Sequence, residues 1–134
     1  MNLLIELDAA SLVLRFTFEG PLTDATLIAG LAEAPKVVKV YPGCRGILDF
    51  SRVSEYDLSP DVLRQLAKSA PVIPAGYDRV FVAPQDYLYG MARMFSILAE
   101  QTRPELHVVR TMREAFSILG IQSPQFVPLP PFAR

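Results

Sequence analysis

Two apolar runs open the chain, LLIEL and LVLRFTF, joined by a short turn at Asp8–Ser11. In the second run Leu12, Leu14, Phe16 and Phe18 alternate with Val13, Arg15 and Thr17. That two-residue period marks a half-buried strand, so the pair predicts an N-terminal hairpin that Gly20-Pro21 ends. The period then lengthens. Thr23 is a good N-cap, and Leu27, Ile28, Leu31 and Ala32 fall on one helical face, with Pro35 ending or interrupting the helix. The following KVVKVYPGCRG fits a last helical turn or a loop.

GILDF, Gly46 to Phe50, has the look of a buried parallel strand. Ser59-Pro60 opens the next helix, serine as cap and proline in the first turn, with Val62, Leu63, Leu66, Ala67 and Ala70 as its core stripe. DRVFVAP reads as another buried strand. Asp86 is placed to cap a long helix from Tyr87 to about Gln101, and ELHVVR reads as the last strand. Thr111 and Glu114 suit a capping box for a short helix closed by Gly120. Strands alternating with helices need crossovers, and crossovers make parallel neighbours. The expected fold is α/β: a single mixed, mostly parallel sheet of about five strands with about four helices. Residues 1–120 form the domain. Residues 121–134 form a Pro-rich tail with four prolines, extended and either mobile or laid on a neighbouring surface.

At 134 residues and 51% hydrophobic content the chain suits one globular domain. The net charge is −1 and no basic block stands out, which argues against nucleic acid as a partner. No apolar run approaches the roughly 18 residues of a membrane span, and MNLLIELD lacks the basic start of a secretory signal. The single Cys44 excludes an internal disulfide and fits a cytoplasmic location. One cysteine and one histidine leave too few soft ligands for structural zinc.

Candidate chemistry is sparse. Asp49, Asp57 and Asp86 all fall near the carboxyl ends of predicted parallel strands, where open α/β sheets place ligands, and three acids there could hold Mg²⁺. The structural alternative gives Asp86 as a helix cap, Asp57 as a brace for the Ser59 turn and Asp49 as an acceptor of loop amides. His107 sits mid-strand, packed or half-exposed. Cys44 lies beside Arg45, a neighbour that lowers a thiol pKa when it faces the sulfur. No nucleophile–base pair, phosphate loop or dinucleotide fingerprint is present. No catalytic residue, metal ligand or cofactor is therefore assigned, and a non-enzymatic role is expected.

The long helix carries more apolar surface than docking requires. Leu88, Met91, Ala92, Phe95, Leu98 and Ala99 form one stripe, and Tyr87, Gly90, Met94, Ile97 and Gln101 lie beside it. Only Tyr89, Arg93, Ser96 and Glu100 make a polar face. Three things can use the surplus: coverage by the tail, a dimer or partner contact, or a small-ligand pocket between helix and sheet. Arg93, one turn from Tyr89, can bind a carboxylate or stack on the ring.

The pattern ILDFSRVSEYDLS, Ile47 to Ser59, followed by an amphipathic helix, resembles the central crossover of STAS domains, found in anti-sigma-factor antagonists and anion-transporter tails. RVFVAPQDYLYGMARMFSILAE and VVRTMREAFSILG resemble small bacterial proteins of SpoIIAA-like fold. The likeness spans about residues 1–120. In the antagonists a partner kinase phosphorylates the serine after the crossover aspartate. Here Asp57 takes the aspartate position, Leu58 the acceptor position and Pro60 the glycine position, leaving only Ser59 with a hydroxyl. The resemblance implies a protein-interaction or regulatory module without the usual phospho-acceptor; with the surplus apolar face of the long helix, the expectation is a cytoplasmic module that self-associates as a homodimer through Tyr87, Gly90, Met94 and Ile97. The crossover turn Asp57, Leu58 and Ser59 is its secondary contact. The alternative is a binder of a lipid, nucleotide or acidic metabolite at the strand-end edge with Tyr89, Arg93 and Asp86. A weaker alternative is a Mg²⁺-dependent enzyme on the three aspartates.

Overall fold

The computed structural model describes residues 2–74 and 76–130. Its first hairpin follows the two-residue period: β1 (Asn2–Asp8) pairs antiparallel with β2 (Val13–Thr23). The alternation in β2 separates two surfaces. Leu14, Phe16 and Phe18 enter one core, while Val13 enters a second core on the opposite face. β2 is not half-exposed, as its polar positions suggest, because Thr17 is itself buried.

Gly20-Pro21 bends the sheet rather than ending it. Gly20 takes φ 94, a conformation favourable to glycine, at a point of register irregularity. Beyond Glu19, β2 has left β1 behind and pairs only with β3 (Arg45–Asp57), an edge position where proline is tolerated. The pairing runs from Val13↔Arg45 to Thr23↔Asp57, so the predicted strand Gly46–Phe50 grows to thirteen residues.

The predicted first helix divides. Thr23 caps α1 (Asp24–Leu31) in a reciprocal box with Thr26, and Pro35 sits in the first turn of α2 (Ala34–Val40). Proline is excluded from a helix interior but accepted at a helix start, which is why the break falls there. KVVKV is therefore helical. Ser59 caps α3 (Pro60–Lys68) as expected, accepting from the Val62 amide at 3.2 Å. The remaining elements are β4 (Arg79–Val82), α4 (Asp86–Leu98), β5 (Leu106–Val109) and α5 (Met112–Leu119). The N-cap of α4 is Gln85, so Asp86 is its first residue and not its cap.

One mixed sheet results, ordered β5-β4-β3-β2-β1-β6, with β2 to β5 mutually parallel. The sixth strand comes from the tail. β6 (Val127–Pro128) pairs antiparallel with β1 through Glu6↔Pro128 and Leu7↔Val127. Leu129 N–H donates to the Ile5 carbonyl at 2.8 Å, and Gln125 N–H to Asp8 Oδ1 at 3.3 Å. Helices α1 to α4 cover one face of the sheet. On the other, α5 and the tail seal Val13, Ile47, Val80, Val82 and Val109. Phe126 stacks on Phe116, with centroids 6.2 Å apart, and lies under the Arg15 guanidinium. Ile121 and Phe126 thus pack on the sheet face away from α4, while Leu129 packs against the core of the helical face; residues 131–134 of the predicted tail lie outside the described residues.

Removing the Phe126 ring uncovers this second core. Phe126→Ala is expected to lower unfolding stability by about 2 kcal/mol in urea melts and to speed proteolysis after residue 120. An unchanged midpoint would mean that the tail is not held.

Candidate functional site

On the helical side of the sheet the packing is incomplete. α3 makes its main contact with α4 rather than with any strand. A cavity of about 390 Å³ remains between sheet and helices. Phe16, Leu48, Phe50 and Phe81 form its floor. Leu27, Ile28 and Leu31 of α1 face Leu63 and Leu66 of α3, and Leu88, Met91, Ala92 and Phe95 of α4 form the remaining wall. Leu48 lies mid-strand in β3 between two neighbouring strands, and Phe81 lies mid-strand in β4, yet both are only half-buried. Central residues under a helical layer are fully buried when the core is filled. Ile28, Ala70 and Val72 are exposed and belong to the same lining, so the cavity opens to solvent beside them.

The cavity is polarised. Leu22 and Leu58 line it near the carboxyl ends of the long strands. Among the described residues its only polar side chains are Ser69, Arg79 and Arg103. Arg79 is the first residue of β4, and Arg103 shortly precedes β5, so the cationic end lies at the amino edge of the sheet. Arg79 is 5% exposed. Its Nη2 donates to the Ile73 carbonyl, while Nη1 has no hydrogen-bond partner and stands 3.9 Å from Glu105 Oε2. Burial pulls the Arg79 pKa down, opposed by the charges of Glu105 and Asp78. Arg103 donates to the Ala67 and Ser69 carbonyls at 3.4 and 3.3 Å and lies 5.2 Å from the Phe95 ring centre. Burial lowers its pKa too, and the charge of Arg79 lowers it further. No acidic side chain among the described residues pairs with Arg103.

At the floor, β3 carries Gly46, and a Cβ built there would overlap Ile73 Cδ1. The Ile73 side chain, itself part of the lining, occupies the space a larger residue would need.

Comparison with protein-family models, with curated proteins and with solved structures finds no match to this chain. The site therefore has to be read from its own chemistry.

The sequence-derived candidates are scattered. Asp49 is fully buried on the other face of the sheet, where it accepts from Arg15 at 2.7 Å and from the Ser51 amide at 2.9 Å. Asp57 ends β3, on the order of 25 Å further along at ~3.3 Å per residue. Asp86 pairs with Arg110 at 2.6 Å with its carboxylate 94% exposed. The three aspartates do not converge, and among the described residues no group of three or more His, Cys, Asp or Glu side chains is arranged to hold a metal ion. The brace of the crossover turn is Asp24, not Asp57. Its carboxylate accepts from the Ser59 amide at 2.9 Å and from the Ser59 hydroxyl at 2.7 Å. Leu58 is buried and lines the cavity.

On α4 the cation stacked over Tyr89 is Arg110, at 4.1 Å, and not Arg93, whose side chain is exposed. Tyr87 stacks on Tyr56 at 4.6 Å and donates to the Leu58 carbonyl at 3.0 Å. Met94 packs partly into the core, Gly90 is exposed with nothing within 4 Å of a built Cβ, and Ile97 is 66% exposed. No helix among the described residues is long and apolar enough to cross a membrane. His107 contacts Asp78 at 3.0 Å.

Sequence reasoning missed Arg79 and Arg103. The available signal was an arginine opening an otherwise apolar strand, after a Pro-bracketed apolar loop, APVIP.

Cys44 is buried, and burial pushes its thiol pKa up, the direction of an inert thiol rather than one activated by Arg45. The Arg45 guanidinium instead donates to the Leu119 carbonyl at 2.7 Å. Less thiolate and less access mean slow modification. Native protein is expected to react with a disulfide reagent at least about tenfold more slowly than denatured protein. Equal rates would place Cys44 at the surface.

Proposed function

We propose that this chain is a binding module for a small apolar molecule, held between the sheet and the helical layer. The observation that carries this reading is the 390 Å³ cavity, almost wholly carbon-lined, above half-buried Leu48 and Phe81. Its volume lies in the range of small-molecule sites, roughly 300–1,000 Å³. Magnitude supports occupancy. Because the cavity opens to solvent, its apolar lining is wetted when empty, and a molecule that displaces this water is favoured by ~25 cal/mol for each Å² of apolar surface it covers. A molecule that fills it raises the melting temperature with the logarithm of its concentration over Kd.

A neutral solvatochromic dye, Nile red, tests the reading. Wild type is expected to brighten and blue-shift the dye. Ala92→Phe places a ring in the void, so it is expected to weaken uptake by at least about fivefold with melting unchanged or raised. A dye that stays dark with wild type, or equal uptake by the variant, would overturn the reading.

A second reading rests on a separate observation. Ile97 and Leu98 at the end of α4 are 66% and 45% exposed. This supports the STAS-like interaction module that the ILDFSRVSEYDLS crossover suggests, self-associating through α4. Sedimentation is expected to give a dimer for wild type and at least about tenfold weaker association for Ile97→Glu, since a buried unpaired charge is costly at an interface. Monomers in both would remove it.

A further inference from the structure

We propose that the cavity's ligand is an amphipathic anion, an apolar chain or ring ending in a carboxylate or phosphate ester, with its head against Arg79 and Arg103 and its body toward Leu22 and Leu58. This rests on the apolar-ligand reading and deepens it. Three observations lead here. The polar lining is confined to one end, and it is cationic. The two guanidiniums are close enough for one to depress the other's pKa, and an arginine pair sharing a low-polarity pocket is unfavourable without a counter-charge. The counter-charge supplied by the chain is incomplete: Glu105 stands 3.9 Å from Arg79 and spends its other oxygen on the Gly76 amide at 2.9 Å, while Arg103 has carbonyl acceptors and no ion pair.

Arg79 Nη1 and Glu105 Oε2 are both buried without a hydrogen-bond partner and stand 3.9 Å apart, too far to satisfy each other. Side-chain nitrogens in such a place are almost always hydrogen-bonded. Asp78, the other acid whose charge reaches Arg79, is already engaged by His107 at 3.0 Å. A carboxylate or phosphate entering from the apolar side meets guanidinium forks whose planar geometry matches its own oxygens. Ser69, a lining residue whose hydroxyl donates to the Leu66 carbonyl, also flanks this end.

The test is competition against Nile red by dodecanoate, dodecyl phosphate and dodecanol, each below its micellar concentration, with wild type, Arg103→Gln and Arg79→Gln. A cavity that is only apolar favours the alcohol, because a carboxylate loses more hydration on entry. A cationic end reverses the order. At least one of the anions is expected to displace the dye at about tenfold lower concentration than dodecanol, and the stronger of the two identifies the head. Arg103→Gln is expected to erase that advantage while leaving dodecanol unchanged; Arg79→Gln should act in the same direction where it folds. Dodecanol matching or beating both anions on wild type would overturn the proposal while leaving the apolar-ligand reading intact. So would an anion preference that survives in Arg103→Gln. No dye uptake by wild type would instead remove the apolar-ligand reading, and this inference with it.

Discussion

The long parallel pairing of β2 with β3 is the constraint on which the helical side depends. It carries both strands well past the end of β1 and β4, to Thr23 and Asp57. The two strands deliver their crossover helices from the same far end, α1 from Thr23 and α3 from Ser59. Asp24 joins those two starts through the Ser59 amide and hydroxyl. The helices are pinned together at one end of the cavity. Further down, α3 leans on α4 and the wall on the α1 side is separate. The cavity lies between these two walls.

The two faces of the sheet solve opposite problems. The α5 face is closed by a short helix and a strand-forming tail, with a part-buried ion pair, Asp49–Arg15, whose guanidinium lies over the Phe126 ring. Pairs of this kind hold an arrangement more than they add stability. The α1–α4 face contains more helix yet seals less completely. The larger buried core nonetheless lies on this side, with Leu14, Phe18, Leu22 and Val37 packed around the void rather than filling it.

Much of the architecture was legible in local pattern. The hairpin, the Ser59-Pro60 start, the Thr111 cap and the βα alternation follow from periodicity and capping, because those signals lie within a few residues of their effects. What was illegible is nonlocal. SRVSEYD becomes strand because β2 continues beside it, and VP becomes strand because β1 offers an edge. Pro35 announced a break, but not that helix resumes around it. The cavity is harder still. Leu63, Leu66, Leu88, Met91 and Phe95 read as ordinary core stripes, and no stripe states how far its helix stands from the sheet. The acids expected at the strand-end edge disperse, while the charged groups of the cavity gather at the amino edge around Arg79 and Arg103, which no local pattern announces.

Gly46 gives this arrangement a further property. Its hydrogen atom is all that separates the central strand from Ile73, whose side chain forms part of the cavity lining. A methyl group at position 46 would lie behind Ile73 and drive it forward into the open space. On the proposed ligand-binding reading, the backbone of a central strand would then set how long an occupant can be. Exchange of glycine for alanine there would tune size selectivity from behind the wall, moving a lining side chain without changing its chemistry.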